Sequence, residues 1–447
     1  LGLALLVLLG LSLAGLTAYL QYQDLQKTKQ SLNQTWKSWR ASQRFPLWPA
    51  KGTSQLGNGF EAYWRLFGRP RDLPVSHAKP YFEIPEKDAE RINALFNPRS
   101  GRILPTPSEL SQKYAYLLRL WSQIPPYTWI AYPNSFSVDM AMPHLLLVEQ
   151  LSLLNSSSVL QDCQSGKCRP EKLLQNLVLL RAQAAQGLLI PLMNSYRLER
   201  ILFSVWGHIL TPSSLDPAAW QNELQALQAF FWGSPPTFAQ ILQNQMYFSQ
   251  SMLFDQLPES LGEIKIETGD ENVWADSLPQ QLYQTLTAMP QIQRALQLSA
   301  PLEQTSQAYL QAEYHSPLAL QKVQTALAAA QSQALLKTVL PPVDFALLRF
   351  REQEAWRRGF YLHLALQAWY AQYGEYPAKL DMLSVFLKAP LPRDPFTGQN
   401  LRYLRQGKGY ILYSLGPDQQ DQGGGSSYHC FAKELNCQHE EVRFHPG

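Results

Sequence analysis

Charge is scarce in this chain. Of 447 residues, 38 are Lys or Arg and 35 are Asp or Glu, 16% in all, against the usual quarter of a soluble domain. The formal net charge is only +3, and no run of Lys and Arg reaches five residues, so the electrostatic footprint of a nucleic-acid binder is missing. Catalytic signatures are also missing: there is no Gly-x-Ser-x-Gly elbow, no His-Glu-x-x-His helix and no Walker loop, nor a Cys-x-x-Cys-His haem site. The eight histidines are scattered. His208 and His363 fall inside apolar helical stretches, where a satisfied core histidine is the commoner role. Acid pairs such as Glu259 and Glu263 arise in any chain with 35 acids and do not point to a glycosidase. The expectation is a protein that is not an enzyme, with no small-molecule substrate indicated.

Apolar and aromatic residues are plentiful. Hydrophobic residues make up 45%, with 12 Trp and 21 Tyr, which suits a large aromatic core or an extensive contact surface. The length allows two or three domains.

Residues 1–20 carry no charge. As a helix they would span about 30 Å, the thickness of a bilayer's hydrocarbon core, and Tyr19 and Tyr22 follow at interfacial depth. A cleaved signal peptide is the alternative; a retained transmembrane helix is the expectation, in contact with the lipid bilayer. Gly10 and Ala14 form a small-x-x-x-small pair that permits close packing against another membrane helix. Gln21 to Arg40 lacks Pro and Gly and reads as a helical stalk.

Only four cysteines occur, in two close pairs, Cys163 with Cys168 and Cys430 with Cys437. Behind a membrane anchor these suggest two local disulfides in an oxidising compartment. Zinc is the rival at the second pair, which His429 and His439 flank, although its spacing fits zinc poorly.

The middle of the chain is dominated by helical periodicity. Apolar residues recur at i, i+3 and i+4 over 108–122, 140–154, 170–187, 191–210, 217–232, 236–255, 278–297, 301–313, 317–338 and 342–373. Short, Pro-marked connections make this a helical bundle or hairpin array, without a clean tetratricopeptide-like period. Pro46 to Pro80 reads as loop, with a short packed helix around Phe60, Tyr63, Trp64 and Phe67. Composition then shifts at Gly374. Strands are expected at Leu401–Leu404, Tyr410–Leu415 and Val442–Phe444, with a hairpin turn at Gln406-Gly407-Lys408-Gly409.

Tyr376-Pro377-Ala378-Lys379-Leu380-Asp381 is followed by Arg393-Asp394-Pro395-Phe396-Thr397-Gly398, then Ser414-Leu415-Gly416-Pro417-Asp418 and the Gly423-Gly424-Gly425 run. This order resembles the C-terminal head of the major pseudopilin of type II secretion, whose last loop holds calcium. The resemblance implies an α+β head with a structural calcium held by the Leu415 and Gln420 carbonyls and the Asp418 carboxylate. Asp421 would replace the family's later acid, which is missing from Gly423–Ser427. The pilin N-terminal signature is also missing, since Leu5 stands where that family has Glu. More loosely, the whole chain resembles bacterial membrane-anchored proteins with a helical region before the same tail, a family that supplies no activity.

The fold expected is mainly α: an N-terminal transmembrane helix and stalk over 1–45, an α-helical extracytoplasmic domain over 46–345, and a small pseudopilin-like α+β head over 346–447. The function expected is that of a non-catalytic accessory or scaffold subunit in a bacterial envelope complex. It would sit in the inner membrane as a single-pass protein, largely periplasmic, with integral membrane subunits as partners. A component of a type II secretion or type IV pilus-like system is the alternative, and an envelope hydrolase with an unrecognised site is a third.

Overall fold

The computed structural model describes residues 2–42, 45–46, 56–58, 62, 84–97, 102–123, 127–130, 144–169, 171–184, 189–232, 238–252, 274–424 and 442–444. The chain begins α1 (Gly2–Ser42), β1 (Phe45–Pro46), β2 (Leu56–Asn58), α2 (Glu86–Asn93), β3 (Phe96–Asn97) and β4 (Arg102–Ile103). Next come α3 (Ser108–Lys113), α4 (Ala115–Trp121), β5 (Tyr127–Ile130), α5 (His144–Gln164), α6 (Glu171–Ala184) and α7 (Leu189–Ile209). Then follow α8 (Pro217–Trp232), α9 (Phe238–Met252), α10 (Trp274–Gln311), α11 (Pro317–Gln331) and α12 (Ala334–Val339). The last elements are α13 (Val343–Tyr373), α14 (Met382–Leu387), β6 (Arg402–Gln406), β7 (Gly409–Ser414) and β8 (Val442–Phe444). The described chain is therefore mainly α.

The segments expected from sequence to be an anchor and a stalk form one helix, α1, of 41 residues. The side chains of residues 2–14, Gly10 and Ala14 among them, lie outside the described set. Among the described residues no helix is long and apolar enough to cross a membrane.

The chain forms two compact units. One comprises Leu1–Ser42, Leu242–Gln311 and Leu318–Asp344. Here α1 and α12 pack on α10. Tyr22 and Leu25 of α1 are buried, as are Met289, Ile292, Ala295 and Leu302 of α10. The sequence suggests two helices over 278–313, parted before Pro301; α10 instead runs unbroken through Pro279, Pro290 and Pro301. Their eleven-residue spacing is close to three helical turns, so the three missing N–H donors lie along one stripe. Gln333 caps α12 by accepting from the Leu336 amide at 2.9 Å and reaches the Gln291 carbonyl of α10 at 3.2 Å.

The other unit comprises Gln43–Ile241, Ala312–Pro317 and Phe345–Gly447. Its centre is the antiparallel run α5–α6–α7, whose helices pack on one another. Trp121, Trp206, Trp220, Phe203, Phe230 and Phe396 are fully buried, so much of the aromatic content goes into this core. Burying each such ring contributes about 1.5–3 kcal/mol. A polar knot sits inside it: Asn176 accepts from Trp121 Nε1 at 3.1 Å and Asn155 Nδ2 at 2.9 Å, and donates to Ser156 Oγ at 3.0 Å. The α5–α6 turn is closed by the Cys163–Cys168 disulfide and the Lys172–Asp162 ion pair at 2.6 Å. Cys430 and Cys437 lie outside the described residues, as does the aromatic cluster at Phe60–Phe67.

Three sheets occur among the described residues: β1-β5-β2, β3-β4 and β6-β7-β8. The first two have no counterpart in the sequence reading, because their strands span only two to four residues and show no alternation. The third matches the strands read from sequence. β6 and β7 pair antiparallel from Arg402↔Tyr413 to Gln406↔Gly409, and β8 pairs antiparallel with β7.

Candidate functional site

The C-terminal part of the second unit gathers most of the residues that the sequence singles out. α13 lies against β7. His363 Nδ1 and the Tyr410 hydroxyl share a buried hydrogen bond of 2.7 Å. Tyr376 donates to Gln367 Oε1 at 3.3 Å, and its ring meets that of Tyr410 edge-on at 4.7 Å. Burial pushes the Tyr410 phenol well up, and the nearby Tyr376 adds to this, so the phenol stays neutral.

Asp394, from the Asp-Pro-Phe-Thr-Gly stretch, is 1% exposed. Its Oδ1 accepts from the Phe396 amide and the Ser414 hydroxyl, each at 2.9 Å, and its Oδ2 from the Leu415 amide at 3.1 Å. One carboxylate thus ties the turn after α14 to the end of β7. Burial raises its pKa, and the amide and hydroxyl donors oppose that rise. Sequence reasoning gave Asp394 no role, though Asp-Pro is a turn-starting pair whose carboxylate accepts from the backbone two residues on.

The expected calcium ligands lie in the turn that follows. Leu415 is buried. Asp418 is half-buried; its Oδ1 accepts from the Gln420 amide at 3.1 Å and its Oδ2 from Gln422 Nε2 at 3.4 Å. Asp421 accepts from the Tyr413 hydroxyl at 2.8 Å and the Gly423 amide at 3.1 Å. It also pairs with Arg402 at 3.3 Å. The Tyr413 bond, then the Gly423 amide, hold its pKa down. Asp421 is thus engaged by Arg402 and Tyr413, whereas the Asp418 carboxylate bonds within its own turn. Any ion would need a shell made mostly of carbonyls, with Asp421 joining only on release from Arg402. Among the described residues no three His, Cys, Asp or Glu side chains converge as a metal site.

A second buried polar group, unforeseen from sequence, joins α7 to α13. Glu199 is 3% exposed and takes both Nε and Nη2 of Arg357, each at 2.8 Å. Gln353 donates to Glu199 and accepts from Arg200 Nε at 3.0 Å. Arg200 and Arg349 both reach Glu352. These groups form a closed lattice between two helices, suited to fixing their register. Nearby Arg181 is buried over the Phe230 ring at 3.9 Å; burial, then the like charge of Arg357, pull its pKa down.

Clefts on this unit's surface, among the described residues, include the following two. One, of about 780 Å³, follows the start of β6 and is lined by Lys379, Asp381, Arg393, Asn400, Arg402 and Tyr403 among others. The second, of about 510 Å³, includes Trp232, Tyr361, Pro390 and Pro392.

Compared with protein-family models, with curated proteins and with solved structures, the chain matches none.

Proposed function

We propose that the protein is a non-catalytic, single-pass subunit of a larger bacterial envelope complex, acting as an accessory or scaffold component. It would be anchored in the inner membrane through the first half of α1, with the rest of the chain periplasmic. The observation that carries this is α1: an unbroken 41-residue helix whose first 20 residues include no charged side chain. Such a stretch matches the hydrocarbon thickness, and its polar second half would lift the body off the membrane. Gly10 and Ala14 would face a neighbouring membrane subunit. The Cys163–Cys168 disulfide fits an oxidising compartment. Among the described residues the most buried carboxylates, Asp394 and Glu199, hold elements together.

A specific arrangement favours a second reading, a component of a type II secretion or type IV pilus-like system. A long helix, α13, packs on a three-stranded antiparallel sheet, and an acidic turn follows β7, as the pseudopilin resemblance implies. Calcium at the Leu415 and Gln420 carbonyls and Asp418 belongs to this reading.

Alkaline carbonate extraction and protease treatment of spheroplasts test the first reading. The protein is expected to stay with membranes and to be digested from outside. Release by carbonate, or full protection in intact spheroplasts, would overturn it. Thermal unfolding of the full chain with calcium and with chelator tests the calcium part. Equal midpoints, together with no effect of Asp418→Ala on them, would remove the ion.

A further inference from the structure

β6 is the outer strand of its sheet, and its residues are largely exposed. The hairpin fixes which of its backbone groups face outward. Gln406 and Gly409 close a two-residue turn, with Gly407 at φ +56, the geometry of a primed hairpin turn whose closing pair is hydrogen-bonded. Antiparallel pairs alternate. Arg402, Leu404 and Gln406 therefore bond to β7, and the N–H and C=O of Tyr403 and Arg405 point to the free side. Among the described residues nothing pairs with that side. Open edges of this kind are templates for an added strand, and proteins commonly blunt them with Pro, bulges or charged side chains. β6 has no Pro and no bulge, and its charges, Arg402 and Arg405, are each held in an ion pair.

The cleft of about 780 Å³ runs along the start of this edge. Its charges are not balanced. Lys379, Arg393 and Arg402 line it against the single carboxylate of Asp381. That carboxylate accepts from the neutral Asn400 Nδ2 at 2.7 Å and keeps its charge, while Arg402 is paired with Asp421 outside the cleft lining. Lys379 and Arg393, both exposed, line the cleft and make no ion pair among the described residues. Two unpaired cations beside an open strand edge select an extended ligand bearing carboxylates.

We propose that the free edge of β6 takes up an extended acidic segment of a partner protein as an added strand, with Tyr403 and Arg405 supplying the backbone ladder and Lys379 and Arg393 binding its carboxylates. This rests on the protein being an interaction subunit, and names the recognition chemistry of one partner.

The probe is a blocked, fluorescent (Val-Glu)3 peptide added to the full chain, with (Val-Lys)3 as its counterpart. Anisotropy is expected to show the glutamate peptide binding at least about tenfold more tightly, a difference near 1.4 kcal/mol. Amide exchange in the fragment spanning 402–406 should slow when it binds. Arg405→Pro removes the outward N–H and leaves the bonds to β7, as an edge strand tolerates; it should abolish binding. Arg405→Ala removes the same charge and the Glu375 pairing but keeps the N–H, and should bind. Reversing both cations in Lys379→Glu/Arg393→Glu should transfer the preference to the lysine peptide. Equal binding of the two peptides, equal binding by the Pro and Ala variants, or no binding at all would overturn the proposal. None of these outcomes depends on the membrane topology of α1, which the carbonate and protease experiments read separately.

Discussion

Asp394 and Leu415, 21 residues apart, are joined by a buried hydrogen bond of 3.1 Å from the Leu415 amide to Oδ2. The Phe396 amide and the Ser414 hydroxyl bond to Oδ1 of the same carboxylate. Because all three donors depend on one side chain, Asp394→Ala should strand them together. Each stranded buried donor costs about 1–3 kcal/mol. A total loss of at least about 3 kcal/mol is expected, and a smaller loss for Asp394→Asn, which keeps one acceptor oxygen. Denaturant unfolding measures this; an Ala variant within about 0.5 kcal/mol of wild type would refute the assignment.

Gly398 ends the same turn with φ +72, and a Cβ there would lie 2.8 Å from the Tyr314 ring. Two separate penalties meet at this position, a left-handed backbone and a blocked side-chain site. Gly398→Ala should therefore destabilise by about 2 kcal/mol. Tyr314→Ala in the same chain should recover only the steric part. A double-mutant cycle reads the coupling; full recovery would show that the backbone conformation costs nothing.

His315 is 6% exposed and packs edge-on against Phe396 at 5.6 Å. Burial, then the charge of Arg351, lowers its pKa from 6.5 to about 4, against a hydrogen bond to the Pro417 backbone that raises it. The unfolded chain therefore binds a proton that the folded chain refuses between those values. The corresponding stability is complete above pH 6.5 and is lost as pH falls towards about 4. His315→Gln should flatten that part of the stability–pH curve. An unchanged slope in the variant would assign the acid sensitivity to other groups.

Much of the helical architecture is legible in the sequence. α8 covers the 217–232 expected from its pattern, and β8 the 442–444. Both carry their signal locally, as apolar spacing with clear boundaries. β1, β2 and β5 do not: Phe45-Pro46, Leu56-Gly57-Asn58 and Tyr127-Thr128-Trp129-Ile130 lack the clean apolar-polar-apolar order that Val442-Arg443-Phe444 shows. Their pairing, such as Phe45 with Ile130, is a long-range fact. The prolines of α10 suggest a break that packing overrides. In the head, the acidic turn is visible in sequence as a cluster of turn residues. Its partners are not: nothing local says that Asp421 meets Arg402 and Tyr413, or that Asp394 reaches Leu415. Glu199 had a readable signal. It stands three residues after Tyr196 and four before Phe203, on the stripe that both bury.

The buried pair of Glu199 and Arg357 gives the most discriminating stability test. Both N–H groups of the guanidinium fork engage one carboxylate, and Gln353 donates to that same carboxylate. Desolvation of two ions is costly, so the pair need not stabilise the fold relative to apolar residues. Removing one partner is different, because it leaves an uncompensated buried charge. Glu199→Ala should cost about 3–5 kcal/mol, and Arg357→Met a similar amount. The double variant Glu199→Leu/Arg357→Met should be markedly more stable than either single change, since neither charge is then stranded. If the lattice instead sets helix register, the double variant will keep its stability but lose the sharp near-ultraviolet dichroism of the aromatic core around Phe203 and Phe360, which stack at 4.5 Å. Strictly additive losses in the double-mutant cycle would show that the two side chains do not act as a pair.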